Sequence, residues 1–355
     1  MSVTSPRSET SFHSLADLKL QMEAVPWHDW LAKYRAPTLP KSLWQLFNSL
    51  ALYVIGWVLL YHSLAVSYWL TLALMPIVAG MSVRIFIINH DCGHGSFFKQ
   101  KWANTVVGFV TATLNFTPYF RWRYEHAIHH ANSGDLNKRG TGGDVWTMKV
   151  EEYLAASRAK RLGYRLYRHP LVMFLVGPLW IFLVWHRFRI KKQRSREQWS
   201  VIWTNLALLA AITGLSLWIG LKAVLIIQLP MFAMAGSAGV WMFYVQHQYE
   251  GAVWAPSEDW DYATMSHFGS SYYKLPGLLR WFTGNIGFHH IHHLAPKIPN
   301  YLLQKAYREN PFFQKVTTLT FWKSFKSARL NLWWDMEQRL VGFREIKHLV
   351  KAQTG

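Results

Sequence analysis

Seventeen histidines occur in this chain, and nine of them stand in three short clusters. The clusters read HDCGH, HAIHH and HHIHH along the chain. Their spacings are i,i+4 in the first cluster and i,i+3,i+4 in the other two, and on a helix such positions share one face. Each cluster is therefore expected to direct two or three imidazoles to one point. The candidate ligands are His90, His94, His126, His129, His130, His289, His292 and His293.

Imidazoles in this number point to two metal ions. Imidazole suits iron, zinc, copper and nickel. A structural zinc site takes four ligands and a catalytic one about three, so eight histidines are too many for one ion. They are enough for two ions with four or five ligands each and open positions for O2. Because zinc has no redox chemistry, the expected cofactor is a pair of iron ions, with O2 as co-substrate.

The other histidines need a separate interpretation. His247, in YVQHQYE, ends a predicted membrane helix at the same membrane face as the clusters, which makes it a candidate ninth ligand. His290 has the wrong phase for the i,i+3,i+4 set and is interpreted as a neighbour. His267 has no motif around it and is interpreted as a non-ligand. Ordinary polar roles are expected for His13, His28, His62, His169, His186 and His348.

The composition indicates a membrane protein. Hydrophobic residues make up 51% of the chain, charged residues only 16%, and there are 20 tryptophans. Trp and Tyr gather where a membrane protein meets the lipid headgroups. The net charge of +19 would suit nucleic acid, but the basic residues flank the apolar stretches, as the positive-inside rule predicts. No nucleic-acid partner is therefore expected, and a basic face suits anionic lipid and an acidic redox partner.

Two further classes of site are disfavoured. Cys92 is the only cysteine, so the chain cannot form an internal disulfide. An iron–sulfur cluster held by four thiolates of one chain is excluded for the same reason. Residues 1–40 carry charges throughout and no apolar run, so no cleavable signal peptide is expected.

Two long uncharged blocks predict four membrane-spanning helices. No Asp, Glu, Lys or Arg lies between Lys41 and Arg84, and Lys222 is the only charged residue in 198–249. A spanning helix needs about 20 apolar residues, so each block fits a hairpin of two helices. The predicted helices cover about 44–64, 67–89, 200–221 and 223–247.

Two shorter uncharged stretches, 102–120 and 169–186, are just long enough to span. Basic residues flank both ends of each, which favours both ends remaining on the cytoplasmic side. We therefore predict re-entrant or interfacial helices, with two further crossings as the alternative.

The three clusters resemble the histidine boxes of membrane fatty acid desaturases, patterned H-x3-H, H-x2-H-H and H-x2-H-H. The stretches NHDCGHGSFF, SGDLNKRGTGGDVW, FYVQHQYEG and GSSYYKLPGLLRWFTGNIGFHHIHHLAPKIPNY also match. Together they resemble the bacterial and cyanobacterial acyl-lipid desaturases of the Δ12 (omega-6) branch over roughly residues 45–310. Related hydroxylases and omega-3 desaturases carry very similar boxes, so those activities stay open as alternatives.

This resemblance implies an O2-dependent enzyme that puts a cis double bond into the acyl chain of a membrane lipid, most specifically at the Δ12 position of an oleoyl chain. It implies a di-iron site held by the eight box histidines. The electrons come from a separate donor, with ferredoxin expected and cytochrome b5 as the alternative, since the chain has no HPGG haem segment. Relatives of the stearoyl-CoA type carry a further histidine four residues after an asparagine. His247 is the nearest match, and Phe243 stands in place of that asparagine.

The predicted fold is an all-α integral membrane protein. Four transmembrane helices in two hairpins combine with re-entrant or interfacial helices and a cytosolic cap that holds the di-iron site. The predicted regions are a cytosolic N-terminal segment at 1–41, a desaturase domain at 42–310 whose cap covers 90–197 and 250–310, and a cytosolic C-terminal segment at 311–355. Both termini and the active site are predicted on the cytoplasmic side, and a bacterial inner membrane is the expected location.

Two sets of charged residues are candidates for supporting roles. Five aspartates are candidates for orienting ligand histidines through the second ring nitrogen, with surface or capping roles as the alternative: Asp91, Asp135, Asp144, Asp259 and Asp261. Four basic residues are candidates for binding lipid phosphate or the electron donor, with a plain positive-inside role as the alternative: Arg121, Arg123, Lys138 and Arg139.

Two competing functions fit parts of this pattern. An alkane or carotenoid oxygenase would use the same boxes. A histidine-rich metal transporter would place ionisable residues inside its spanning helices. The clusters lie outside the predicted spans, which disfavours transport.

Overall fold

A computed structural model describes residues 14–190 and 193–352 of the chain. The first 13 residues of the predicted N-terminal segment, including His13, lie outside the described residues. Most of the described chain is helical. Its helices are α1 (Leu15–Glu23), α2 (Trp27–Ala32), α3 (Leu39–Ser63), α4 (Tyr68–His94), α5 (Lys101–Leu114), α6 (Tyr119–Asn132), α7 (Val150–Ala155), α8 (Arg158–Tyr167), α9 (Gly177–Leu179), α10 (Ser195–Ile219), α11 (Leu221–His247), α12 (Tyr262–Phe268), α13 (Gly277–Phe282), α14 (His289–Leu294), α15 (Asn300–Glu309), α16 (Phe321–Ser324) and α17 (Lys347–Ala352).

Short irregular elements complete the chain. The π-helical turns Val172–Val176 and Trp180–Val184 flank α9, and 3-10 turns cover Trp185–Arg187, Pro311–Gln314 and Phe325–Arg329. The strands are β1 (Tyr272–Lys274), β2 (Thr318–Thr320), β3 (Leu332–Trp334) and β4 (Arg339–Val341).

Four helices, α3, α4, α10 and α11, are long and apolar enough to cross a membrane. They form two hairpins, and α4 packs against both α3 and α11. Each hairpin crosses twice, so the starts of α3 and α10 lie on the same side as the ends of α4 and α11. The predicted fold class, a helical membrane protein with four spanning helices, is confirmed.

The helix α4 runs past its predicted end at residue 89 and continues through His90 to His94. Its 27 residues make a rod of about 40 Å, against a hydrocarbon core of about 30 Å. The last turns therefore project out of the membrane while remaining helical. The helix ends at Gly95, whose φ of 65° is the left-handed conformation that commonly ends helices.

The two shorter uncharged stretches do not form straight spans. The helix α5 has 14 residues and a length of about 21 Å, too short for the hydrocarbon core. The second stretch forms most of the segment Val172–Arg187, which meets the preceding helix α8 at an angle of 57°. This bend fits either a re-entrant loop or a broken span, so the re-entrant assignment of the second stretch stays a prediction.

Two small sheets were not predicted from the sequence. β1 pairs with β2 in parallel, and β3 pairs with β4 antiparallel. Three-residue strands are too short to show an alternating pattern. The backbone N–H of Trp333 in β3 donates to the carbonyl of Met148 (3.0 Å), and the Trp333 ring stacks on Trp254 (5.2 Å). The segment after residue 310 therefore packs into the cap.

A fully buried arginine joins three parts of the cap. Arg168, just after α8, donates to the Thr147 hydroxyl (2.8 Å), the Gln248 side-chain oxygen (2.7 Å) and the Leu330 carbonyl (2.8 Å). It also donates to the Tyr244 hydroxyl (2.8 Å). No carboxylate pairs with it among the described residues. All the acceptors that its two terminal nitrogens contact are therefore neutral oxygens.

We predict that Arg168→Met lowers the free energy of unfolding by about 3 kcal/mol, because several buried acceptors lose a charged donor. The control is Arg158→Met, at an exposed position in the first turn of α8. Thermal unfolding of the detergent-solubilised protein measures the difference. Equal melting temperatures for the two variants would contradict the assigned role of Arg168.

Candidate metal centre

The structure brings nine histidines together in two groups. Within each group, one ring nitrogen of every histidine lies within 4.8 Å of those of the others. The first group contains His90, His94, His126, His130 and His292, and the second contains His129, His247, His289 and His293. All nine are the histidines that the sequence singled out as candidate ligands.

Four helices supply these side chains. The C-terminal end of α4 carries the first cluster, α6 carries the second and α14 the third, while His247 is the last residue of α11. The i,i+4 spacing of His90 and His94 places both in the first group, as predicted. The ends of two membrane helices and two cap helices thus meet at one place.

Each cluster directs an i,i+4 pair of histidines to one metal position, as predicted, but the i+3 histidine of the second and third clusters belongs to the other position. In α6, His126 and His130 join the first group while His129 joins the second. Successive helical residues are about 100° apart, so positions i+3 and i+4 lie on opposite sides of position i. The helix α14 divides its histidines the other way: His289 and His293 belong to the second group and His292 to the first. Both helices therefore link the two metal positions.

The distances between ring nitrogens fit ligands around metal ions. A metal–nitrogen bond of about 2.1 Å places neighbouring ligands of an octahedral ion about 3.0 Å apart. The Nε2–Nε2 distances are 3.1 Å for His126–His130, 3.1 Å for His130–His292, 2.8 Å for His247–His289, 3.1 Å for His289–His293 and 3.2 Å for His129–His293. Two further Nε2 atoms, of His90 and His94, are buried and have no hydrogen-bond partner. The donor set therefore fits two ions.

Burial also favours the metal-binding form of the rings. Among the ligand candidates outside the spanning helices, burial lowers the pKa of five imidazoles well below 6.5, and the neighbouring imidazoles lower it further. These five are His126, His130, His289, His292 and His293. Desolvation disfavours the protonated ring, and only the neutral ring binds a metal.

One carboxylate orients a histidine of the second group. Oδ1 of Asp144 lies 2.6 Å from Nδ1 of His129, so the ring donates to the carboxylate and presents Nε2 to the metal position. The loop carrying Asp144 contacts the backbone of α6 at Gly142, whose φ is 66°. A Cβ atom at Gly142 would lie 2.3 Å from the backbone nitrogen of His129, so glycine is required there.

A second carboxylate supports the first group. Oδ1 of Asp91 lies 3.2 Å from Nδ1 of His90. Its other oxygen accepts from the backbone (2.7 Å) and the side chain (2.8 Å) of Asn300, and Gln45 donates to the Asn300 side chain (3.1 Å). Sequence reasoning missed Asn300, whose only signal was its place in the matched stretch after the third cluster.

The other three aspartates do not contact the histidines among the described residues. Asp261 caps α12 by accepting from the backbone of Thr264 (2.8 Å). Asp135 accepts from the Ser257 hydroxyl (2.8 Å) and lies 3.1 Å from the Lys138 ammonium. The orienting role proposed for Asp135 and Asp261 is therefore wrong, and no such contact supports Asp259.

Sequence reasoning also missed the contacts of His247. The Ser133 hydroxyl lies 3.2 Å from its Nδ1. Phe243, which stands where an asparagine was expected, packs against the rings of His129 (4.8 Å) and His247 (5.4 Å). This position therefore supplies an apolar wall.

Three of the four candidate basic residues already pair with an acidic residue of the chain. Arg121 is fully buried and donates to Glu125 (3.0 Å) and to the carbonyl of Phe188 (2.7 Å). Arg139 pairs with Glu152 (2.6 Å), and Lys138 pairs with Asp135. A role in binding phosphate or a donor is therefore wrong for Arg121. Arg123 alone of the four is exposed without an acidic partner among the described residues.

Two further buried histidines of the cap, His290 and His267, lie outside both groups. Nε2 of His290 contacts the carbonyl of Phe313 (2.9 Å), and His267 stacks on Phe312 (4.9 Å). These positions agree with the interpretation of His290 as a neighbour of the ligands and of His267 as a non-ligand.

Comparison with known proteins places the chain among related sequences. A family model described as "Fatty acid desaturase" matches residues 67–324. The chain is 47% identical, over 90% of both chains, to a protein of Bacillus subtilis (strain 168) described as a fatty acid desaturase. It is 28% identical to an sn-1 acyl-lipid omega-3 desaturase (ferredoxin) of Nostoc sp. (strain 36), over 82% of this chain and 79% of the relative. It is 25% identical to an sn-1 oleoyl-lipid 12-desaturase of Anabaena variabilis, over 76% of this chain and 79% of the relative.

We predict that His292→Ala and His129→Ala each lower the bound metal from about two ions to about one per chain, because each removes a ligand of a different group. Elemental analysis of protein purified from iron-replete cells measures this. The control is His290→Gln, which changes a buried histidine of the same cluster outside both groups. A loss in His290→Gln equal to that in His292→Ala would contradict the division into two groups.

We predict that Asp144→Asn weakens metal retention by about 10- to 100-fold, as is usual for carboxylates behind a ligand histidine. Metal release against increasing chelator concentration gives the affinity. Asp261→Asn serves as the matched control, since asparagine also caps helices. Unchanged retention in Asp144→Asn would show that this carboxylate does not support a ligand.

Proposed function

The chain belongs to the fatty acid desaturase family and is an enzyme of that class, and we propose that it introduces a cis double bond at the Δ12 position of an oleoyl chain in a membrane lipid. The observation that carries this proposal is the meeting of nine imidazoles, in two groups, at the ends of two membrane helices. A metal site at this position could oxidise the acyl chain of a lipid in the adjacent bilayer.

We infer that each group holds one iron ion. Iron, when bound, would supply the O2-dependent oxidation that removes hydrogen from an unactivated methylene pair, which no acid or base of the chain can do. Zinc would fit the imidazoles but has no redox chemistry. The proposed ligands are the five histidines of the first group and the four of the second.

The protein holds the ligands and excludes water. Eight of the nine rings are buried, and only His94 is partly exposed. Trp122 stacks on His126 at 4.6 Å, and Phe243 covers two rings of the second group. A dry site limits side reactions of the oxidising species with water.

The names of the relatives support a lipid substrate. The acyl chain and the position of the double bond are part of the proposal. The Anabaena variabilis relative is named for oleoyl-lipid and for the 12 position, and the Nostoc relative for acyl-lipid and omega-3. We favour Δ12 because the matched stretches resemble that branch. An omega-3 desaturase or an acyl hydroxylase on the same scaffold is the alternative.

We propose that the metal site faces the cytoplasm. Among the described residues, the turns that join the spanning helices on the opposite side, near Leu64–Ser67 and Gly220, are short. Lys222 is the only Lys or Arg in or beside them. The remaining Lys and Arg residues concentrate on the side of the histidines, which is the cytoplasmic side by the positive-inside rule.

A host that makes oleate but no polyunsaturated lipid tests the proposal. Expression of this chain with a ferredoxin and its reductase should yield a new Δ12 double bond, located by mass spectrometry of derivatised fatty acids. His292→Ala should abolish the product, while His169→Ala, at an exposed position, should retain it. A hydroxylated product or a bond at another position would overturn the regiochemistry. Product in the His292→Ala variant would contradict the role of the histidine site.

A further inference from the structure

Electron balance requires a partner for the proposed reaction. Reduction of O2 to two water molecules takes four electrons and four protons. Removal of two hydrogens from the acyl chain supplies two of each, so two electrons must enter from outside, with two protons from water. Since this inference rests on the proposed function, the surface through which electrons enter should lie close to a metal position.

One metal position approaches the surface. His94 is the only one of the nine histidines that is not fully buried. It ends α4, whose length exceeds the hydrocarbon core by about 10 Å, while each headgroup layer is about 5–8 Å thick. Trp69, 80% exposed, marks the opposite end of α4, where tryptophan lies at the membrane boundary. The last turn of α4, with His94, therefore lies on the cap side of the hydrocarbon core.

Three exposed cations lie near the end of α4: Arg123, Lys297 and Lys101, which begins the adjacent helix α5. Nζ of Lys297 lies 3.4 Å from the position that a Cβ atom would take on Gly95, the residue after His94. Cγ of Arg123 lies 3.9 Å from the corresponding position on Gly93, the residue before it. Burial lowers the pKa of Lys297, and the charges of Arg123 and Lys101 lower it further.

No acidic side chain pairs with these cations in the part of the chain that the structure describes. Basic residues elsewhere in the cap do have partners, such as Lys149 with Asp335 (2.7 Å). Adjacent like charges repel each other, and an acidic partner would relieve that repulsion. Complementary charge also speeds the encounter of two proteins.

We propose that Lys101, Arg123 and Lys297 form the docking surface for an acidic one-electron carrier protein, which delivers electrons to the first metal position through the edge of His94. The carrier docks twice in each turnover, once for each electron. Anionic lipid headgroups would also be attracted to cations, but only a redox protein supplies the two electrons that the reaction needs, and the cations lie beside the one partly exposed histidine of the site.

The test uses the iron-loaded, full-length protein in nanodiscs of phosphatidylcholine, with a reduced acidic [2Fe–2S] ferredoxin as the probe. The variant combines Lys101→Glu, Arg123→Glu and Lys297→Glu. The control combines Lys315→Glu, Lys323→Glu and Lys326→Glu, which makes the same change in charge at three exposed cap positions. Stopped-flow absorbance follows oxidation of the ferredoxin, and product formation is measured separately with ferredoxin and with dithionite and methyl viologen.

We expect the docking variant to slow ferredoxin oxidation at low salt by at least about 10-fold, and to lose the salt dependence that the unchanged protein shows. Turnover with the small reductant should remain within about twofold of normal. The control variant should behave like the unchanged protein.

Three results would overturn the proposal. They are an equal loss in the control variant, an equal loss with the small reductant, or no loss at all. Turnover with the small reductant is also measured in nanodiscs of anionic phosphatidylglycerol. If the docking variant lost turnover only there, the cations would bind lipid headgroups and not a carrier protein. Ferredoxin oxidation that depends on the three cations, without any desaturated product, would retain the docking surface and refute the proposed function.

Discussion

The structure depends on holding nine imidazoles at one place, with the ring nitrogens of seven of them 2.8–3.2 Å from a neighbouring ring nitrogen. An unsatisfied buried polar group costs about 1–3 kcal/mol, and several of these rings meet only each other. Two bound cations would satisfy their lone pairs together. Metal binding and the folding of the cap are therefore expected to be coupled, as in other sites whose ligands come from distant segments.

The long membrane helices make this arrangement possible. By continuing past the hydrocarbon core, α4 and α11 present His90, His94 and His247 on rigid helices. The cap helices α6 and α14 then divide their histidines between both positions, so neither position can form without both helices. Contacts behind the rings, Asp144 through the Gly142 turn and Asp91 through Asn300, fix ring orientation from two separate segments.

The sequence predicted the parts of this site that follow from local periodicity. Cluster spacing identified the eight box histidines, uncharged blocks predicted two hairpins, and the position of His247 at a helix end made it a ninth candidate. Periodicity could not predict how α6 and α14 divide their histidines, because that depends on how each helix is rotated against its neighbours. It likewise gave no means to distinguish Asp144 from Asp261, which differ only in the tertiary contacts of their loops.

The sequence also did not predict which charged side chains are buried. Arg121 and Arg168 looked like surface cations beside apolar stretches, yet both are buried and bound to oxygens contributed by residues far apart in the chain. The unpaired cations near His94 were indistinguishable by sequence from these two.

Mössbauer spectroscopy of the full-length protein loaded with 57Fe, combined with iron X-ray absorption, tests the central claim most directly. We expect two iron ions per chain in two distinguishable environments with nitrogen ligands, because one group offers five imidazoles and the other four. Two results would contradict this expectation: a single iron environment with one ion per chain, or iron bound mainly by atoms other than nitrogen.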